Sequence, residues 1–305
     1  MTTGTLALAS GTFTSPWNTP GAETKLRAVT SKNVQTITSS NNRTLDNVNF
    51  AGNSAASNFV LSASTNLVTT NSNYDFAAGN DILVISSTLR NGSSGIVASN
   101  SSFGFGSGND KFTVNGGVNN IAVNAGVGND SIEVKGNASN STFLLGADND
   151  SIKFSGNVSN SVVNGDAGND SMSFGGSVTG TTILGDAGKD VIAFSRAVSG
   201  SNVNSGSDDD TINFNSTVGS TNIALGSGRD LLIFGGNINA GTNVNLTEQV
   251  AARDTIRIAG GINYAGLQIT GASTGDILII GSTRYTYSSG TWNSPGRSPL
   301  DLDPN

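Results

Sequence analysis

The stretch GDAGND occupies residues 165–170 and GDAGKD residues 185–190, so nearly the same glycine-rich, aspartate-ended hexapeptide returns after twenty residues. Aligning the chain on the final aspartate gives Asp110, Asp130, Asp150, Asp170, Asp190, Asp210 and Asp230, seven positions joined by six identical steps. The series extends with looser spacing to Asp81 upstream and to Asp254 and Asp276 downstream, and NNRTLDNVNFAGN places Asp46 in the same role as a weaker copy. Repetition at a fixed period of this length is the mark of stacked, quasi-one-dimensional folds.

The columns that follow the aspartate show what each repeat builds. Two residues on stand Phe112, Ile132, Ile152, Met172, Ile192, Ile212 and Leu232, and four residues on stand Val114, Val134, Phe154, Phe174, Phe194, Phe214 and Phe234. Apolar positions two apart describe a strand with one buried face. Further columns at eight residues (Val118, Ala138, Val158, Val178, Val198, Val218) and thirteen residues (Val123, Phe143, Val163, Ile183, Val203, Ile223) complete a unit of strand, turn, strand, turn.

Such a unit cannot bury its apolar face alone, but stacking brings each column into register. The predicted fold is all-β: a right-handed parallel β-solenoid of about ten 20-residue coils, with strands about 4.8 Å apart and capping segments at both ends. The sequence divides into an amino-terminal capping or assembly segment at 1–40, a repeat domain at 41–281 with its regular part at 106–235, and a carboxyl-terminal hairpin and tail at 282–305. TEQVAARD at 247–254, where the step widens to twenty-four, reads as a bulge in one coil, and Tyr285, Tyr287 and Trp292 are expected to pack in the hairpin.

Composition narrows the chemistry. Glycine supplies 40 of 305 residues, charged residues only 12%, and the net charge of −7 leaves no clustered basic surface for nucleic acid. Cations are the better-matched company. There is neither cysteine nor histidine, which removes thiolate metal sites, disulfides and the commonest general base. No transmembrane segment is expected, and the amino terminus has no basic stretch followed by an apolar run, so no classical signal peptide is expected either.

Stacking acidic turns one above another sets like charges side by side, which disfavours the fold unless a cation intervenes. Calcium takes 6–8 oxygens at flexible angles, and glycine lets the backbone turn its carbonyls toward an ion. The plain alternative is a tight turn, for which Gly, Asn and Asp are the usual residues. Against it stands a sixth position that is always Asp.

The turns FGSGND (105–110), AGVGND (125–130), LGADND (145–150), GDAGND and LGSGRD (225–230), each leading into a strand, resemble the calcium-binding repeats of RTX (haemolysin-type) proteins. The resemblance covers roughly 76–235. It implies Ca2+ held between coils by Asp81, Asp110, Asp130, Asp150, Asp170, Asp190, Asp210 and Asp230, with carbonyls from Gly108, Gly128, Gly168, Gly188 and Gly228. Two departures are visible. The period is twenty residues where family coils usually take eighteen, and the opposite turn (GNVSN at 156–160, GSVTG at 176–180) lacks aspartate, so calcium is expected along one edge only. In two coils Asp148 and Asp208 replace the fourth-position glycine.

An enzyme is not expected. The uniform step leaves no long loop to wall a groove, and Asp166, Asp186 and Asp209 have no base or nucleophile beside them, so they read as solvated turn residues. An ice-binding or polysaccharide-binding solenoid is the alternative, but the turn columns, interrupted by Lys189 and Arg229, form no threonine ladder. The favoured expectation is a non-catalytic, calcium-stabilised structural or adhesive rod of an extracellular assembly, whether surface layer, filament or phage virion, self-associating head-to-tail or laterally, with a cell-surface glycan as a further partner.

Overall fold

A computed structural model describes residues 67–87, 96–248, 252–300 and 302, and upstream of these residue 56 and the strand segments 4–7, 24–27, 34–39, 43–46, 48–51 and 58–63. Two compact units divide the chain, Met1–Asn157 and Val158–Asn305. Each is a parallel β-solenoid, and every regular element among the described residues is a strand.

In the second unit the strand that follows each aspartate stacks on its own copies. Ser171–Phe174, Val191–Phe194, Thr211–Phe214 and Leu231–Phe234 pair in parallel at steps of twenty, with Ser171 facing Val191, Val191 facing Thr211 and Thr211 facing Leu231. Thr255–Ile258 and Ile277–Ile280 continue the stack at steps of twenty-four and twenty-two. The other sheet contains Thr182–Leu184, Asn202–Asn204, Asn222–Ala224, Thr242–Asn245 and Leu267–Thr270. It also contains two-residue strands at the valine column, Val178–Thr179, Val198–Ser199 and Val218–Gly219, so a regular coil holds three strands and not two.

The first unit repeats this plan less evenly. Val34–Ser39, Asn58–Ala63, Ile82–Ser87, Lys111–Val114, Ser131–Val134 and Ser151–Phe154 stack in parallel, at steps of twenty-four, twenty-four, twenty-nine, twenty and twenty. Within 1–40, the strands Gly4–Ala7 and Thr24–Arg27 also pair in parallel twenty residues apart, while Trp17 lies outside the described residues. Asp46 does not take the role its sequence copy implied. It faces Thr70 in the opposite sheet, because the wider coils here shift the acid column away from the hexapeptide alignment.

The period-two columns all point inward. Ile192, Ile212 and Leu232 and, beside them, Phe194, Phe214 and Phe234 are buried. The rings of Phe174, Phe194, Phe214 and Phe234 stack with centroids 4.9, 4.7 and 5.5 Å apart. At the carboxyl end, Ile277–Ile280 pairs antiparallel with Thr283–Ser288, which returns through Thr291–Asn293. This is the hairpin expected over 282–294. Tyr287 packs edge-on against Trp292 at 5.1 Å, and Trp292 is buried. Of TEQVAARD, residues 249–251 lie outside the described residues.

Replacing Phe194 by Ala removes the middle of the ring stack and leaves a cavity, with an expected cost of about 3–5 kcal/mol. Val191→Ala on the solvent side of the same strand is expected to stay within about 0.5 kcal/mol. Chemical denaturation of the two variants checks the assignment of faces; equal losses would contradict it.

Candidate functional site

The hexapeptide needs two left-handed residues, at its second and fourth positions. Gly168 and Gly188 fill the fourth at φ 144° and 124°, while Asp148 and Asp208 take it at 83° and 79°. Asp166 and Asp186 fill the second at 67° and 68°. A side chain strains either position, and each of the seven turns from 105 to 230 retains glycine in at least one of the two. A Cβ on Gly188 would overlap the Gly168 carbonyl, and one on Gly128 the Gly108 carbonyl. The structure therefore gives these glycines a steric role, the close stacking of one turn on the next.

The terminal aspartates are not at the surface of the turn. Asp81, Asp110, Asp130, Asp150, Asp170, Asp190, Asp210 and Asp230, together with Asp254 and Asp276, are all buried. Strand alternation explains this: residues two and four places further on face the core, so the aspartate faces it too. Within each unit these carboxylates reach back to the preceding coil. Oδ1 of Asp110 accepts the Asp81 backbone N–H at 2.6 Å, Asp130 that of Asp110 at 2.7 Å, and Asp150 that of Asp130 at 2.6 Å. In the second unit Asp190 accepts from Asp170, Asp210 from Asp190, Asp230 from Asp210 and Asp254 from Asp230, at 2.7–3.0 Å.

In six of these carboxylates only one oxygen is served in this way. Oδ2 of Asp110, Asp130, Asp190, Asp210, Asp230 and Asp254 is buried and receives no hydrogen bond. The stack ends differently at Asp276. There Oδ1 accepts the Asp254 N–H at 3.1 Å and Oδ2 accepts the Ser273 N–H at 2.7 Å, so the last carboxylate is served by the preceding coil and by its own turn. A buried acceptor without a donor is costly, and a buried unpaired charge more so.

Burial accordingly pushes these carboxyls up from their ordinary value of 3.8: Asp110 and Asp190 to about 6, Asp130 and Asp230 to about 7, and Asp210 to about 8. The N–H bond from the preceding coil opposes the rise without cancelling it. Asp254 is raised by the same burial, reinforced by the charges of Asp230, Glu248 and Asp276.

The donor set matches a hard cation. Asp190 Oδ2 and the Ser205 carbonyl both lie against the place a side chain on Gly185 would occupy, two acceptors facing one spot. Oxygen acceptors of this kind are the ligands calcium takes. Among the described residues no three acidic side chains converge, so carboxylates would have to share an ion with backbone carbonyls.

A second buried column was not read from the sequence. Ser141, Ser161, Thr181, Ser201 and Thr221 stand eleven residues after each aspartate and are buried. Ser201 Oγ accepts the Thr181 N–H at 3.2 Å and donates to the Ser199 carbonyl at 3.0 Å; Ser141 accepts from Ile121 and donates to Ser139. Its signal was the twenty-residue recurrence of Ser or Thr at a site flanked by turn residues. On the outside, Asn109 and Asn129 accept the N–H of Asn129 and Asn149, in the opposite direction along the stack. Asp209 is exposed and pairs with Lys189 at 2.9 Å.

In protein stripped of metal, each raised carboxyl stabilises the fold in its protonated form. That contribution is present in full below about pH 4 and is lost as pH rises through the folded-state values of about 6 to 8. The melting temperature in chelator is expected to fall across this window, and Asp210→Asn, which keeps an acceptor for the Asp190 N–H without a charge, to flatten the fall. A melting temperature that rises with pH in chelator would contradict the assignment.

Compared with protein-family models and with curated proteins, the chain matches none.

Proposed function

We propose that the chain is a non-catalytic structural or adhesive solenoid of an extracellular assembly, stabilised by calcium along one edge. The observation that carries this reading is the succession of buried, donorless carboxylate oxygens, Asp110 and Asp130 in the first unit and Asp190, Asp210, Asp230 and Asp254 in the second. Asp81, Asp150 and Asp170 occupy the same column and belong to the same proposed ligand set, with carbonyls of the glycine turns at Gly108, Gly128, Gly168, Gly188 and Gly228. Calcium bound there would neutralise adjacent carboxylates and link successive turns. Sites of moderate affinity fill where calcium is plentiful, which favours an extracellular setting.

The repeat also supports a scaffold over an enzyme. Between 106 and 235 each coil spends its residues on turns and ladders, and the spare carboxylate Asp209 is engaged with Lys189 and with the Arg229 N–H. Self-association in a surface layer, filament or virion belongs to the same proposal. The antiparallel hairpin on Ile277–Ile280 covers that strand edge, which favours lateral contact over strand addition there.

Calcium bound only to the folded state stabilises it by mass action, about 2.7 kcal/mol at a hundredfold excess over Kd. Excess chelator at pH 8 is expected to lower the melting temperature by several degrees, and added calcium, but not magnesium at equal concentration, to restore it. An unchanged melting curve would overturn the calcium reading.

A further inference from the structure

The proposed calcium edge is not uniform, and the difference lies in the first position of the turn. Its side chain points into the core beside the aspartate five residues on. Phe105, Ala125, Leu145 and Leu225 fill this position and are buried, whereas Gly165, Gly185 and Ser205 occupy it in three consecutive coils of the second unit. Backbone conformation does not ask for these glycines, since neither Gly165 nor Gly185 has a positive φ, unlike the glycines at the second and fourth positions.

What glycine provides at 185 is clearance for two oxygens. A Cβ there would press on Asp190 Oδ2 and on the Ser205 carbonyl. Asp190 is 1% exposed, and its Oδ2 receives no hydrogen bond. One coil on, Ser205 brings a buried hydroxyl beside Asp210; it donates to the Leu225 carbonyl at 2.6 Å, and its contact with the Asp210 carboxyl opposes the rise that burial causes there. A donorless carboxylate oxygen and a carbonyl thus meet one spot at Gly185, and a hydroxyl stands at the same turn position one coil on, where other coils place a leucine or phenylalanine. Hydrocarbon at the first position supplies no ligand to a cation that needs 6–8 oxygens.

Resting on the calcium reading, we infer that the cation does not occupy every coil: the three consecutive coils with Gly165, Gly185 and Ser205 at the first position, carrying Asp170, Asp190 and Asp210, form the binding stretch, and the coils closed by Phe105, Ala125, Leu145 and Leu225 carry none. The first-position residue acts as the selector.

The test counts metal. The intact chain is stripped with chelator, dialysed against calcium alone, and its bound calcium measured by elemental analysis, with circular dichroism as a check of folding. About two ions per chain are expected. Gly185→Leu, or the milder Gly185→Ala, is expected to abolish at least one of them, Leu145→Val to change nothing, and Leu225→Gly to add one. A folded wild type that binds about one ion for each ladder aspartate, with Gly185→Leu no worse than Leu145→Val, overturns the selector while leaving the calcium reading intact. A folded wild type that binds no calcium overturns the calcium reading itself.

Discussion

In a stack of equivalent coils every inward group meets its own copy at the strand spacing of about 4.8 Å above and below. Only groups that can sit against themselves are tolerated without help. Phenylalanine can, as the rings from Phe174 to Phe234 show by lying nearly parallel. A hydroxyl can, because it accepts from one coil and donates within its own, as Ser201 does. A carboxylate cannot, since it accepts only. Among the described residues the aspartate column is therefore a recurring place, at Asp110, Asp130, Asp190, Asp230 and Asp254, where the repeat leaves a buried carboxylate oxygen unserved.

Much of this was legible in the sequence because the constraint acts on columns. A twenty-residue step, apolar residues at two and four places after the aspartate, and glycine at the turn fixed a parallel solenoid and the identity of the inward strand residues. What escaped notice follows from the same physics at finer grain. The two-residue strands at Val178 and Val198 are too short for alternation to reveal. The hydroxyl column at Ser141 and Thr181 reads as turn composition until one asks which way the side chains point. Asp46 misled because its context resembles the turn, while the coil around it is four residues longer than the regular repeat. The hairpin was recoverable because Tyr287 and Trp292 bracket a Ser-Gly turn in a segment free of the period.

The sequence placed the aspartate between stacked coils without showing that it lies inside and spends one oxygen on the preceding coil. That bond by itself does not require aspartate, for asparagine would accept the same N–H. The neighbouring fifth position serves as an internal comparison. There Asn109 and Asn129 make equivalent bonds in solvent, and the column drifts to Lys189, Asp209 and Arg229. The sixth position, in the same turn and with the same backbone task, keeps its carboxylate from Asp81 to Asp276. The difference between them is burial.

Burial turns the second oxygen into the deciding atom. An asparagine at position 190 would bring an N–H2 toward the Ser205 carbonyl and satisfy it without any outside partner. Aspartate instead places an acceptor against an acceptor, an arrangement that is stable only when something positive lies between them. A proton does this below the raised carboxyl values and a divalent cation above them, so the two compensations give opposite dependences on pH. Under the proposed calcium reading the cation is the compensation above the raised carboxyl values, and removing it there leaves the edge with unpaired charge.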